Sequence, residues 1–317
     1  MATGPVPEPV LSFESTVPRR YVHRQSVTEV FLTDCVPASE PDRYVLGAQW
    51  PRLHGFYRGR AGRYDTMLLA ETLRQCVIYL AHTRYRIPLG NPFVMQTLEI
   101  TAELERLQIG AGAAEVSVTV AVSGVRRRGS QVTGLSAALV FEIDGRRVGS
   151  GKGSAVVLTP SEYAASRWGD TGPRSIGRVP EYRLVGPEEV GMSCEDDVVV
   201  GATERHGRWR VVPDLEHPVM FDHPSDHLPG MLMLEALRQS ARAQCARPDA
   251  ELVSLSVQFH RFVELDLPTE AVVSNAQDVP SGMRVVLEQH GVPTASATLT
   301  LAPDTGARPR VGAKTGG

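Results

Sequence analysis

Lysine is nearly missing from this chain: of 33 basic residues, only Lys152 and Lys314 are lysines. That scarcity reads as the codon bias of a GC-rich genome and carries no mechanism. Other absences exclude more. Net charge is −3, without the basic excess a dedicated nucleic-acid binder needs. Aromatic residues make up 6% and form no stacking platform. The cysteines, Cys35, Cys76, Cys194 and Cys245, include no C-x-x-C pair, so free thiols in a reducing cytoplasm are expected. No run of 18 apolar residues exists to span a bilayer, and the N-terminal stretch lacks the basic and apolar regions of a secretory signal. The histidines lack metal-ligand spacing, and no P-loop or G-x-S-x-G motif occurs. No metal or cofactor is expected, and the protein is placed in the cytoplasm.

What the chain does contain is a repeat. "MLLAETLRQC" at 67–76 aligns without gaps on "MLMLEALRQS" at 231–240, an offset of 164. Glu71 falls on Glu235, Arg74 on Arg238 and Gln75 on Gln239. Strand-like segments precede each helix: "TEVFLTD" and "DRYVLGAQW", then "DDVVVGAT" and "GRWRVV". Longer strands follow, at 93–105, 113–125, 130–143 and 147–159, then at 252–265, 270–279, 282–290 and 292–302. "AEVSVTVAV" and "ASATLTL" alternate as half-buried strands do. Asp-Gly in "IDGRRV", and Gly291 in the other half, mark hairpins.

A helix that is apolar nearly all round must be wrapped on most sides. A curved antiparallel sheet around one long central helix does this, and two in tandem make an α+β, double hot-dog fold that mimics a two-fold dimer within one chain. The expected domains are 18–160 and 191–305. A flexible arm, 1–17, precedes them and a disordered tail, 306–317, follows. The Gly-, Pro- and charge-rich stretch 161–190 reads as a linker crossing the surface.

The polar stripe Glu235, Arg238, Gln239, Arg242 lies on one helix face. It is either a water-washed edge or a polar patch facing a cleft between the halves. In the first half the face reads Glu71, Arg74, Gln75, Ile78. Keeping three polar types while admitting Ile favours the cleft. Pro229-Gly230 stands where the second helix should begin, so amides near Gly230 and Met231 are candidates to hold a thioester oxygen as it gains charge. The first half has "RYDTM" there instead. His223, His227 and His54 are loop histidines, and Asp222 and Asp226 just before two of them also suit turn capping.

"HPSDHLPGMLMLEALRQ" resembles the active-site region of hot-dog β-hydroxyacyl-carrier-protein dehydratases, in which a loop His and a Pro-Gly precede an acid on the central helix. A wider resemblance is carried by "HRQSVTEVFLTD", "AQWPRLHGFY", "YDTMLLAETLRQ", "YRIPLGNPFVM", "FDHPSDHLPGMLMLEALRQ" and "FHRFVELD". Together they look like the A-factor synthase (AfsA-type) family of actinomycetes. That resemblance implies transfer of a β-ketoacyl group from an acyl carrier protein (or CoA) thioester to the hydroxyl of dihydroxyacetone phosphate, toward a γ-butyrolactone-type signal. On this reading Glu235 is the general base and Arg238 binds phosphate or oxyanion. Glu71, His223 and His54 complete the catalytic set. Arg74, Gln75, Gln239, His227, Gly230 and Met231 contact substrate. By analogy with hot-dog dimers, His54 would approach Glu235 and His223 would approach Glu71. No nucleic-acid or membrane partner is expected; the chain is a monomeric pseudo-dimer with room for further pairing. Two alternatives stay open: a non-catalytic acyl- or lactone-binding module, and a dehydratase or thioesterase.

Overall fold

The structure, a computed structural model, describes residues 10–172, 176–276 and 282–302. The first half runs β1 (Leu32–Pro37), β2 (Arg43–Trp50), α1 (Met67–Thr83), β3 (Phe93–Ala102), β4 (Ala114–Arg128), β5 (Gln131–Ile143) and β6 (Arg146–Val157). Two short helices follow, α2 (Pro160–Trp168) and α3 (Pro187–Val190). The second half repeats the first: β7 (Val200–Ala202), β8 (Arg208–Val211), α4 (Gly230–Gln244), β9 (Leu252–Phe259), β10 (Thr269–Asn275), β11 (Gly282–Gln289) and β12 (Val292–Leu301).

All these strands join one antiparallel sheet, in the order β1-β2-β4-β5-β6-β3-β9-β12-β11-β10-β8-β7. Read outward from the β3–β9 junction, each side repeats the other. At the junction Glu99 faces Ser256 and Ile100 faces Leu255, so backbone hydrogen bonds weld the two hot-dog units together. Both late hairpins turn on two residues of positive φ, Asp144-Gly145 and His290-Gly291, the backbone a tight two-residue turn requires.

Helix α1 packs on β6 and β3 of its own half, and α4 packs on β10, β11 and β12. The "GSGKG" run in β6 sets how closely α1 approaches. A Cβ at Gly149 would lie 2.8 Å from Leu69 Cδ1, and one at Gly151 would lie 2.6 Å from Leu73 Cδ1. The missing side chains on alternate positions let Leu69 and Leu73 sit directly on the strand. In β12 the corresponding inward positions are Ala295 and Ala297, both buried.

Gln75 and Gln239 tie each helix to the chain entering its first strand. Gln75 Oε1 accepts from Phe31 N (2.9 Å) and its Nε2 donates to Glu29 O (2.8 Å). Gln239 does the same with Val199 N and Asp197 O, each at 2.9 Å. This bond explains one departure from the sequence reading. "TEVFLTD" opens as a 3-10 turn, Val27–Glu29, held by the glutamine, and the strand starts only at Leu32.

The 161–190 stretch is more structured than a surface loop. Thr159 and Glu162 form a capping box and Pro160 occupies the first helical position, so α2 starts sharply. The side chain of Arg167 on α2 is 5% exposed and pairs with Asp226 and Glu264 of the second half. The expected tail, 306–317, and most of the 1–17 arm lie outside the described residues. Cys35 and Cys76 are buried, Cys194 and Cys245 partly so, and all four are free thiols. No described helix is long and apolar enough to cross a membrane.

Candidate active site

The two polar stripes are buried, and each acid is held by an arginine one turn on. Glu71 and Glu235 have no exposed surface. Arg74 bonds both oxygens of Glu71 (2.8 and 2.9 Å), and Gln75 Nε2 adds a third bond (2.7 Å). Arg238 Nη2 lies 2.7 Å from Glu235 Oε2, with Gln239 Nε2 at 2.9 Å from Oε1. Beyond this shared core the two sites differ.

On the α1 stripe a second arginine arrives from far upstream. Arg24 Nη2 is 2.8 Å from Glu71, and its Nη1 donates to Val219 O of the other half. Burial alone would raise the Glu71 carboxyl, but Arg24 and Arg74 outweigh it and hold it at about 2. With Arg24 carrying part of the charge balance, Arg74 Nη1 has no partner among the described residues. Arg74 lines a cavity of about 430 Å³, with Leu73, Val77 and Ile78 beside it on α1 and Phe93 and Met95 on β3. The opposite wall is the start of α4: Leu228, Pro229, Gly230 and Met231. No side chain caps α4, and its first intrahelical bond is Met233 N to Pro229 O. The amides of 230–232 therefore have no acceptor within the helix, and this positive end meets Arg74 across the cavity.

On the α4 stripe the counterpart position is filled. Asp65 stands where the other half has Pro229. Its Oδ1 accepts from Met67 N (2.9 Å), capping α1, and both oxygens bond Arg238 Nη1 (2.6 and 2.8 Å). Burial pushes the Asp65 carboxyl up, but Arg238 overrides it and holds it low. Every nitrogen of the Arg238 guanidinium is engaged, and the space left is a cleft of about 130 Å³. At the end of the stripe, Ile78 faces the large cavity while Arg242 bonds the carbonyls of Val190 and Ala250.

The residues singled out from sequence therefore separate. Arg74, Gly230, Met231, His223 and His227 meet at the large cavity. Glu71 lies behind Arg74 as its counter-charge. Glu235 and Arg238 sit on the mirror side, away from that cavity. Gln75 and Gln239 are fully buried and bond backbone and their own glutamate, leaving nothing for a substrate.

His54 does not pair with Glu235. Its Nδ1 accepts from Phe56 N and Tyr57 N (3.1 and 3.0 Å), and Nε2 lies 3.4 Å from Glu29. Its structural twin is His217, which accepts from Val219 N and Met220 N and lies 3.5 Å from Asp197. Both imidazoles staple a turn. His223 is half exposed and 3.5 Å from Asp222, whose oxygens already accept from Gln25 N and Ser26 N. It lines the same cavity as Arg74 and makes no contact with Glu71 among the described residues.

Sequence reasoning missed His23, Arg24 and Asp65. His23 lines the cavity with φ of +52°, a conformation rare for a residue bearing a Cβ. Its Nε2 is 2.8 Å from His82 Nε2, and His82 Nδ1 is 2.8 Å from Ile87 O. The carbonyl requires a proton on His82 Nδ1, so His23 donates from Nε2. Burial, then His82, Arg74 and His223, push its pKa down to about 3, so it stays neutral. "HRQ" at 23–25 stood inside a quoted motif, but nothing local to it signalled a partner on α1. Among the described residues no group of three or more His, Cys, Asp or Glu is placed to hold a metal.

Residues 7–159 and 178–303 match the A-factor biosynthesis hotdog domain. The chain belongs to that family. It is 36% identical over 255 residues to a 2-oxo-3-(phosphooxy)propyl 3-oxoalkanoate synthase of Streptomyces virginiae, covering 80% of this chain and 85% of the relative. It is 31% identical to a Streptomyces griseus protein of the same name, covering 88% and 93%. Among solved structures it resembles a putative oleoyl thioesterase of Lactobacillus plantarum, at 14% identity and a TM-score of 0.50, covering 82% of this chain and 97% of that one. At that identity the likeness concerns the fold alone.

Proposed function

We propose that this protein is an acyltransferase that moves a 3-oxoacyl group from a thioester to the free hydroxyl of dihydroxyacetone phosphate. The product is a 2-oxo-3-(phosphooxy)propyl 3-oxoalkanoate, a precursor of a γ-butyrolactone-type signal. The observation that carries this reading is the open α4 N-terminus facing Arg74 Nη1 across a cavity whose α1 and β3 walls are largely apolar. The mirror site supports it. There a carboxylate, Asp65, occupies the matching place against a helix amide and an arginine. An oxyanion or phosphate oxygen in the open site would find the same two kinds of partner.

In this reading the amides of Gly230 and Met231 stabilise the thioester oxygen as it gains charge, and Arg74 takes the acceptor's phosphate. Glu71, itself paired with Arg24, holds Arg74 in place. Leu73, Val77, Ile78, Phe93 and Met95 seat the acyl chain. The 3-oxo group already activates the acyl carbon, so direct attack by the bound hydroxyl suffices once both substrates are in register. One site works; the mirror site, with Glu235, Arg238 and Asp65, is scaffold. The donor is a carrier-protein or CoA thioester and the reaction is cytoplasmic, where such thioesters and a phosphorylated triose occur together.

The test is an assay with a 3-oxoacyl thioester, on a carrier protein and on CoA, with and without dihydroxyacetone phosphate. The expected result is acceptor-dependent thiol release, with the ester phosphate identified by mass spectrometry. Thiol release without acceptor would instead mark a thioesterase. Tight lactone binding without turnover would mark a binding module.

A further inference from the structure

Neither glutamate of the stripes can take the hydroxyl proton in the large cavity. Glu71 is fully buried and held at about 2 by its arginines, and Glu235 lies on the other side. The bases left on the cavity wall are Asp222, whose two oxygens already accept from Gln25 N and Ser26 N, and four imidazoles. His23 is burdened by burial and by Arg74, so it resists accepting a proton. His260 Nε2 is engaged with Ser296 Oγ at 2.9 Å. His223 is half exposed, and its 3.5 Å contact with Asp222 is long for a hydrogen bond.

His227 differs from all three. Its Nδ1 lies 2.7 Å from Asp226 Oδ1, which places the proton on Nδ1 and leaves the Nε2 lone pair without a partner among the described residues. Asp226 is itself fixed from outside both repeats. Tyr163 OH donates to it at 2.7 Å, and Arg167 Nε at 3.1 Å. Arg167 is anchored in turn by Glu264, and Phe262 packs edge-on against the His227 ring at 4.9 Å. His227 lies three residues before Gly230, on the wall that carries the free amides. The repeat offset of 164 puts Arg63 at the corresponding place in the first half, so the closed site has no such imidazole.

We propose that His227 is the general base of the transfer and that Asp226, held by Tyr163 and Arg167 of α2, is its positioning residue. This rests on the acyl-transfer reading. Nε2 of His227 takes the proton of the acceptor hydroxyl while its oxygen bonds to the acyl carbon. The C–S bond then breaks, and the proton passes from His227 to the departing thiolate, leaving ester and free thiol. The charged and titratable groups around the ring are Asp226 on its own loop, Tyr163 and Arg167 from α2, and His23, Arg24, Arg74, Asp222, His223, His260 and Arg261 around the cavity.

The experiment compares wild type with His227→Gln, His227→Ala, Asp226→Asn and Tyr163→Phe, each checked by thermal melting. The expected loss of kcat in His227→Gln is about 10²–10⁴-fold with little change in melting. Added imidazole should partly restore His227→Ala. Asp226→Asn should lower kcat while KM for either substrate stays near wild type, because Asp226 orients the ring and touches neither substrate. A His227→Gln enzyme within threefold of wild type would overturn the assignment. So would an Asp226→Asn enzyme whose loss falls on KM with kcat unchanged, since a purely structural carboxylate shapes the pocket without setting the base. A wild-type enzyme that transfers nothing would overturn the acyl-transfer reading itself, and that control stands apart from every variant.

Discussion

The two polar stripes carry the same Glu-x-x-Arg-Gln residues and end in opposite states. Around Arg238 every guanidinium nitrogen is satisfied from within, by Glu235 and by the Asp65 carboxylate that caps α1. Around Arg74 a second cation, Arg24, shares Glu71, and the facing helix is left uncapped. One aspartate closes a site that a Pro-Gly leaves open. A buried arginine is thus either a structural tie or a binding group, depending on whether the protein supplies its last anion.

Four measurements would break or sharpen that contrast. The largest effect is expected at the closed site. Arg238→Met strands Asp65 and Glu235 as buried unpaired carboxylates and should cost about 3–5 kcal/mol of unfolding free energy. Denaturant titration measures it, and KM for either substrate should stay near wild type at permissive temperature. If Arg238→Met abolished turnover without loss of stability, the closed site would be the working one.

The matching change at the open site, Arg74→Met, leaves Glu71 paired with Arg24. Its main result should be a loss of kcat/KM of about 10²–10³-fold, with KM for dihydroxyacetone phosphate carrying much of it. Steady-state kinetics against each substrate in turn separates the two contributions.

A smaller effect concerns acid stability. Glu71 titrates at about 2 in the folded protein, below the ordinary 4.5 of a glutamate. The stability it lends is therefore complete above about pH 4.5 and is lost as pH falls toward 2. Glu71→Gln should be less stable than wild type at neutral pH, and the gap should narrow through that window in unfolding curves taken at successive pH values. A gap that stays constant would mean the carboxylate is not held by its arginines.

The smallest effect is at Gly230. A Cβ there would meet only Met95 Cε, at 3.6 Å, an ordinary contact. Gly230→Ala should fold normally and lose less than about tenfold in rate, by crowding the amides that receive the thioester oxygen. Melting and kcat together test this.

Much of the architecture was legible in the sequence because its signals are local. The repeat, the strand alternation, the Asp-Gly hairpin and the Pro-Gly before α4 all lie within short windows. The site was less legible for a specific reason. An internal repeat tells which residues correspond, not which residues meet. Glu235 and Gly230 are near neighbours in sequence, yet the amides of Gly230 face Arg74 of the other helix. Arg24 reaches Glu71 from 47 residues upstream, and nothing around it announces that. The twin of His54 is His217, one residue off the helix offset, so the repeat alignment does not pair them. Helix α2 did carry a readable cap, Thr159-Pro160 with Glu162, hidden by the Gly- and Pro-rich composition of the stretch as a whole.

The hydrogen-bonded junction of β3 with β9 has a consequence for how such a protein can change over time. In a homodimer a substitution appears in both copies at once, so one site cannot be sealed without sealing its partner. Here each half has its own codons. Asp65 can close one end while Pro229-Gly230 keeps the other open, and subunit exchange cannot scramble the arrangement. Dilution should leave specific activity unchanged, since the partner surface of each half is a stretch of the same polypeptide.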